Sequence, residues 1–263
     1  MQSRLHPERA TGQDAARRCP AILAHKGSLT APIQASIDRI IDDLMVSLPD
    51  TERLVPDQRR GIIARYTAVL EGNFIYWMTA AYLAVASDEA HAIIEDNLRE
   101  EVRDNHPGML RRFALAAHAI PTDSDALAVY RNLESVRLFV AQLSAIKIVL
   151  MMAFFEGFIT RFMPYLADLA GRQGSAERQY TDVHGVVDVV HTEGLFRALE
   201  AEMLLRPDVA EPTAALFTGV EILQTLIQNV IHPHGAPSQH VERKVTTAEP
   251  LVAHGAEAAA SAA

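Results

Sequence analysis

Only one cysteine, Cys19, occurs among the 263 residues. A lone thiol excludes an internal disulfide framework and a thiolate-built zinc site, and it suits a reducing compartment, so the cytoplasm is the expected location. Positive charge is scarce as well. Lys and Arg number 24 against 33 Asp and Glu, for a formal net charge of −9, and the basic residues are scattered, which leaves no stripe for a phosphate backbone. Nucleic acid is therefore not an expected partner. Long apolar runs are also missing. The longest uncharged one, FIYWMTAAYLAVA at 74–86, falls short of the ~18–20 residues that span a bilayer, and the opening MQSRLHPERATGQDAARR holds no apolar core of a signal peptide. A soluble chain with no membrane partner is expected.

Two further absences set the architecture. No Pro/Gly/Ser-rich linker divides the middle of the chain, and its length lies within the single-domain range, so one core is expected. Strict alternation of apolar and polar residues is almost nowhere found, whereas helical periodicity runs through 31–48, 57–85, 88–104, 108–119, 124–171, 176–205 and 210–231. The expected fold class is all-α, a bundle of about seven helices, with 124–171 either two helices or one kinked helix. Residues 1–30 and 232–263 are polar or Ala/Ser-biased and read as disordered ends of a domain at 31–231, the histidines at 232, 234 and 240 being solvated.

What is present is charge on apolar faces. HGVVDVVH places His184, Asp188 and His191 at i, i+4 and i+7, which at roughly 100° per residue puts three metal-competent groups on one side of a helix in a background of valine. Glu71 shares its face with Phe74, Ile75, Met78 and Tyr82, so it should point inward. Glu156 is flanked by Val149, Met152, Ala153, Ile159 and Met163 and should be buried too. In IIEDNLREEVRDNHPG the stripe Ile94, Leu98, Val102 defines an inner side; Glu101 lies within about 60° of it and Glu100 near the opposite side, which selects Glu101. His106 precedes Pro107, where a helix should break, and either curls back toward Glu101 or ends the helix exposed.

An unpaired buried carboxylate costs several kcal/mol, in a fold stable by only about 5–15 kcal/mol. Cations on the same faces are too few, since Lys147 lies opposite Glu156 on its helix and Arg161 well off its axis. Any one acid alone is compatible with an interhelix salt bridge. Together, carboxylates with imidazoles suit iron or manganese, and seven ligands are enough for two ions.

One Glu on an early helix, a Glu and His near the end of a second, a Glu on a later apolar helix and then HxxxDxxH resemble the haem-oxygenase-like diiron oxidase family over about residues 55–205. NLREEVRDNHPGMLRRF is similar to that family's asparagine-leucine, acid-pair, histidine-proline phrase. The resemblance implies a haem-oxygenase-like helical bundle and a metal set of Glu71, Glu101, His106, Glu156, His184, Asp188 and His191 holding two Fe(II) ions, with O2 as co-substrate. It implies a non-haem diiron oxidoreductase acting on a small molecule, expected to be amino-acid-derived, by N-oxygenation, desaturation or oxidative C–C cleavage. An external electron donor is compatible with that chemistry. A fatty-acid oxidative decarboxylase and a non-catalytic binding or regulatory protein of the same fold stand as alternatives. The ferritin-like diiron bundle needs ExxH pairs, and no Glu here has a His three residues on. Phe74, Tyr76, Trp77, Phe154, Phe155 and Phe158 are either pocket lining or core, and Arg137, Lys147 and Arg161 either hold a substrate carboxylate or lie on the surface. No oligomer signature is legible, and a homodimer is compatible with the sequence.

The expectation on which all else depends is spatial: the carboxyl of Glu156 must lie inside the protein, beside the imidazoles of His184 and His191.

Overall fold

The computed structural model describes residues 29–206 and 213–233. Among them every regular element is helical: α1 Ala31–Val46, α2 Pro56–Leu70, α3 Asn73–Ala84, α4 Asp88–Arg103, α5 His106–Ala116, α6 Asp123–Val140, α7 Ala145–Arg172, α8 Gln179–Leu205, α9 Thr213–Leu216 and α10 Thr218–Ile231. The expectation of disordered ends lies outside the described residues apart from Leu29, Thr30, His232 and Pro233, as do Cys19, His234 and His240; His232 is exposed.

Two long periodic stretches turn out to be helix pairs. Residues 124–171 divide into α6 and α7 across 141–144, where Leu143 takes a left-handed φ of 50°. Residues 57–85 divide at Glu71 and Gly72. Gly72 has φ +78° and would place a Cβ in open space, so backbone conformation, not crowding, selects glycine there. Helix starts follow local chemistry. Ser87 accepts from the Ala90 N–H, Thr122 and Asp125 cap each other reciprocally, and Pro56 opens α2 where no N–H is needed.

Helix α7 is the axis of the bundle. From Ile148 to Ala170 it is buried on most sides, with Phe154, Phe155 and Phe158 deep in the core, and it packs against α1, α2, α3, α5, α8 and α10. A helix apolar all round belongs at the centre of a fold. Its most extensive partner is α8. A Cβ at Gly157 would stand 3.2 Å from Ile41 Cδ1 and 3.6 Å from Thr192 Cγ2, so the glycine beside Glu156 lets α1 and α8 approach the axis closely.

Helix α8 inverts the usual polarity. His184, Asp188 and His191 are buried, while Val186, Val189 and Val190 are 70%, 45% and 66% exposed. Near its C-terminal end Glu202, fully buried, accepts the N–H groups of Ala86 and Ser87 at 2.8 and 2.7 Å, which ties α8 to the turn between α3 and α4. Arg60 binds both oxygens of Asp125 at 3.0 Å, joining α2 to α6.

Gly72→Ala should therefore destabilise the fold by about 1 kcal/mol, because alanine must take the left-handed conformation that the α2–α3 break demands. Urea unfolding measures this, and an unchanged or higher midpoint contradicts the assignment.

Candidate metal centre

The site is assembled from α4, α5, α7 and α8. On α4 the buried line is Ala90, Ile94, Asn97 and Glu101. Val102, expected on the inner side, is 66% exposed. The inner side starts apolar at Ala90 and Ile94 and turns polar at Asn97 and Glu101, where a continued apolar stripe was sought. Helix α4 ends at Arg103. Asn105 then turns the chain with φ 54°, and its side chain accepts from the Gly108 N–H at 3.2 Å. That reversal makes His106 the first residue of α5 and carries its ring back into the protein, with Nδ1 2.7 Å from Glu101 Oε1. Of the two fates open to His106 in the sequence, it takes the inward one.

On α8, His184 Nδ1 donates to the Tyr180 carbonyl at 2.8 Å, which leaves Nε2 as the acceptor. The rings of His106 and His184 meet edge to face at 4.5 Å. Glu101, His106 and His184 thus offer one ligand atom each within 4.8 Å of one another. A second buried trio, Glu156, Asp188 and His191, meets the same measure. Glu156 is 1% exposed, and its Oε2 lies 3.8 Å from His191 Nδ1. One cavity of about 30 Å³ joins the trios: Glu101, His106, Glu156, His184 and Asp188 line it, with Leu70, Phe74, Leu110 and Ile159 as its apolar wall. Such a volume admits only one or two species the size of water.

The electrostatics are those of a site short of positive charge. Burial raises the Glu156 carboxyl, and the charge of Glu101 adds to it; Asp188 is pushed well up by burial and by its carboxylate neighbours Glu156 and Glu101. Burial pulls His184 down to about 4, aided by the other imidazoles. For His191 burial also acts downward, but the charges of Glu156 and Glu100 more than offset it and raise the ring to about 9. Glu156 acts there through charge, since 3.8 Å is too long for a hydrogen bond. Among the described residues four buried carboxylate or imidazole atoms have no hydrogen-bond partner: Glu202 Oε2, whose other oxygen is bonded, and Glu156 Oε1, Asp188 Oδ2 and His191 Nδ1, the three that face one another. Buried polar atoms are normally paired, and these three belong to one trio. The set fits a divalent cation. Three carboxylates and three imidazoles without a thiolate suit iron or manganese, and the first trio is a two-histidine, one-carboxylate set.

Glu71 requires correction. It is not buried on an inner face; it caps the C-terminus of α2, its side chain is 32% exposed, and it is ion-paired with Arg111. The helical angle placing it inward assumed one helix through 57–85, and the break at Gly72 resets the phase. Its neighbours Leu70 and Gly72 line the cavity, so Glu71 stands beside the site but outside both trios. Arg137 binds Asn73 Oδ1, and Arg161 pairs with Asp38 and Asp42 of α1. Neither they nor Lys147 line the cavity, and of the six aromatic candidates only Phe74 does. Trp77, Phe154, Phe155 and Phe158 are core, and Tyr76 is 44% exposed.

Two participants escaped the sequence reading. Glu100, set aside as outward, accepts from His191 Nε2 at 2.8 Å and so orients that ring. Tyr180 lines the cavity one helical turn before His184; extending the HxxxDxxH face back by four residues would have found it. No family model and no curated protein matches the chain.

Glu156, Asp188 and His191 all hold protons more tightly folded than unfolded. The folded chain then binds more protons between the two pKa values, so these groups lend stability at low pH that is lost as pH rises. The opposing contribution of His184 is complete above about 6.5. The metal-free protein should therefore lose stability as pH rises from about 6.5 to the His191 value of about 9, and a divalent cation should restore it with release of protons. Denaturation midpoints across that window and proton release on metal addition measure both; a midpoint rising with pH contradicts the assignment.

Proposed function

We propose that the protein is a non-haem diiron oxidase or oxygenase of the haem-oxygenase-like type, acting on a small, amino-acid-derived molecule. One observation carries the reading: two buried ligand trios share a single cavity, with three ligand atoms left unpartnered, at positions that the HxxxDxxH resemblance implies. Two Fe(II) ions bound there would supply the electrons that reduce dioxygen and so drive oxidation of the substrate.

The chain's own contribution is position and dryness. Glu101, His106 and His184 would hold one ion, and Glu156, Asp188 and His191 the other. The Tyr180 carbonyl fixes the ring of His184, and Glu100 fixes that of His191, so neither imidazole has to reorganise to bind. Leu70, Phe74, Leu110 and Ile159 exclude bulk water from the cavity. Three carboxylates are a strongly donating set, which favours the higher oxidation states that oxygen activation requires.

Anaerobic Fe(II) titration should reach one ion per trio, about two per chain, and mixing with oxygenated buffer should consume oxygen. Full loading without oxygen uptake would instead favour a binding or regulatory protein. Asp188→Asn and His191→Ala should lower the iron stoichiometry while the far-ultraviolet dichroism stays helical; full retention in both variants overturns the ligand assignment. Asp188→Asn should also leave the metal-free protein as stable as, or by about 1 kcal/mol more stable than, the parent, since it removes a buried carboxyl crowded by two others. Marked destabilisation would mean that Asp188 is a structural residue.

A further inference from the structure

A line of aromatic rings leaves the cavity and reaches the surface. The Tyr180 ring lies 4.2 Å from the imidazole of His184. Its hydroxyl is 2.9 Å from that of Tyr66, and both side chains are buried. Tyr66 lies 5.6 Å from Phe162, and Phe162 lies 5.4 Å from Tyr165. Tyr165 is half-buried, donates to the Pro49 carbonyl at 3.0 Å, and lines a surface cleft with Met45, Leu48, Asp50, Thr51 and Asp168.

Packing alone accounts for the phenylalanine but not for the hydroxyls. Phenylalanine at 66 and 180 would fill the same space without desolvating two polar groups, and a buried tyrosine hydroxyl needs a hydrogen-bond partner. Here each hydroxyl has the other as its partner, beside a cavity rich in carboxylates. Such a pair can exchange an electron and a proton together across one hydrogen bond, with no base and no buried charge.

We propose that Tyr180, Tyr66, Phe162 and Tyr165 form a one-electron conduit between the carboxylate–imidazole cavity and the surface cleft, where an external one-electron donor delivers reducing equivalents. The proposal rests on the redox reading of the cavity. With two ions bound by the trios, Tyr180 would give one electron to the oxidised centre and its phenolic proton to a carboxylate that lines the cavity with it, Glu101 or Asp188. Tyr66 restores it by moving an electron and a proton across the 2.9 Å contact, breaking its own O–H bond as that of Tyr180 re-forms. Tyr165 then sends an electron through Phe162 to Tyr66, while the proton held in the cavity returns across the pair to the Tyr66 oxygen. Tyr165 releases its proton to solvent and regains one electron from the donor and one proton from water. The balance is one electron from donor to centre, with every phenol restored.

The test uses the full-length, metal-free chain. The protein has six tyrosines, so Tyr76→Phe, Tyr82→Phe and Tyr130→Phe leave only the three of the conduit, and Cys19→Ser removes the thiol. A ruthenium polypyridyl photosensitiser with a sacrificial acceptor oxidises this protein from outside, and electron paramagnetic resonance reads the tyrosyl radical. The expected result is a long-lived buried radical that Tyr165→Phe largely abolishes. The double variant Tyr66→Phe/Tyr180→Phe, which replaces both hydroxyls by apolar groups of similar shape, should retain only the short-lived signal of Tyr165. A buried radical of undiminished yield in Tyr165→Phe, or a long-lived signal surviving the double variant, overturns the conduit. A buried radical in protein whose iron-loaded form takes up no oxygen leaves the path standing and removes the oxidase reading. Oxygen uptake without a buried radical does the reverse.

Discussion

Burying three carboxylates and three imidazoles together, five of the six lining one small cavity and His191 behind them, is the constraint to which the rest of the structure answers. Each ionised group taken out of water costs several kcal/mol unless something compensates it, and the whole fold is stable by only about 5–15 kcal/mol. The arginines that could have compensated are engaged elsewhere. Arg111 holds Glu71, Arg161 holds two aspartates of α1, and Arg137 holds Asn73. The cavity instead balances itself by keeping protons: Glu156 and Asp188 are raised, and His191 stays charged to about 9. A protonated cluster of this kind suits a divalent cation, which would take over the charge that the protons now supply.

That demand explains why α7 and α8 are built as they are. Among the buried residues of helix α7 only Glu156 is charged, so the helix supplies one carboxylate from a tightly packed axis. Over 184–191 helix α8 turns His184, Asp188 and His191 inward and three valines outward, the reverse of what hydrophobic burial alone would choose. Gly157 lets the helices come close where Glu156 and His191 must meet. The stability lost at α8 is recovered along its length by Leu195, Ala198 and Leu199 in the core and by Glu202, whose carboxylate holds two backbone N–H groups of the α3–α4 turn.

The all-α class and the inward placement of Glu101, Glu156, His184, Asp188 and His191 were legible because each rests on phase within one unbroken helix. Glu71 failed for the complementary reason. Its phase was counted across Gly72, and a single left-handed residue between α2 and α3 is enough to turn the following side chains to new directions. Nothing in the apolar pattern of 57–85 marks that break, since both helices bury strongly hydrophobic faces. His106 could not be placed by phase at all. Its position comes from Asn105, one of the few residue types that tolerate positive φ. Glu100 was discarded as lying opposite the apolar stripe, but α4 packs against α8 as well as α3, and a residue off one helix's inner line can still reach its neighbour.

The two trios are not equivalent, and the difference follows from what each has already satisfied. In the first, Glu101 and His106 bond to each other at 2.7 Å and His184 is anchored to a carbonyl. A cation entering there must part an existing hydrogen bond. In the second, Glu156 Oε1, Asp188 Oδ2 and His191 Nδ1 have no hydrogen-bond partner, and the ring of His191 is already held by Glu100 from behind. A cation entering there displaces protons and parts the ion pairs of His191 with Glu156 and Asp188, at 3.8 and 3.9 Å, but no hydrogen bond. The second trio therefore combines the larger unmet demand with the smaller reorganisation, and it sits where the rigid α7–α8 pair meets. The first lies where α4 turns into α5, a segment whose geometry depends on one positive-φ asparagine. Preorganisation is thus greater at the second trio, on the bundle axis, than at the first.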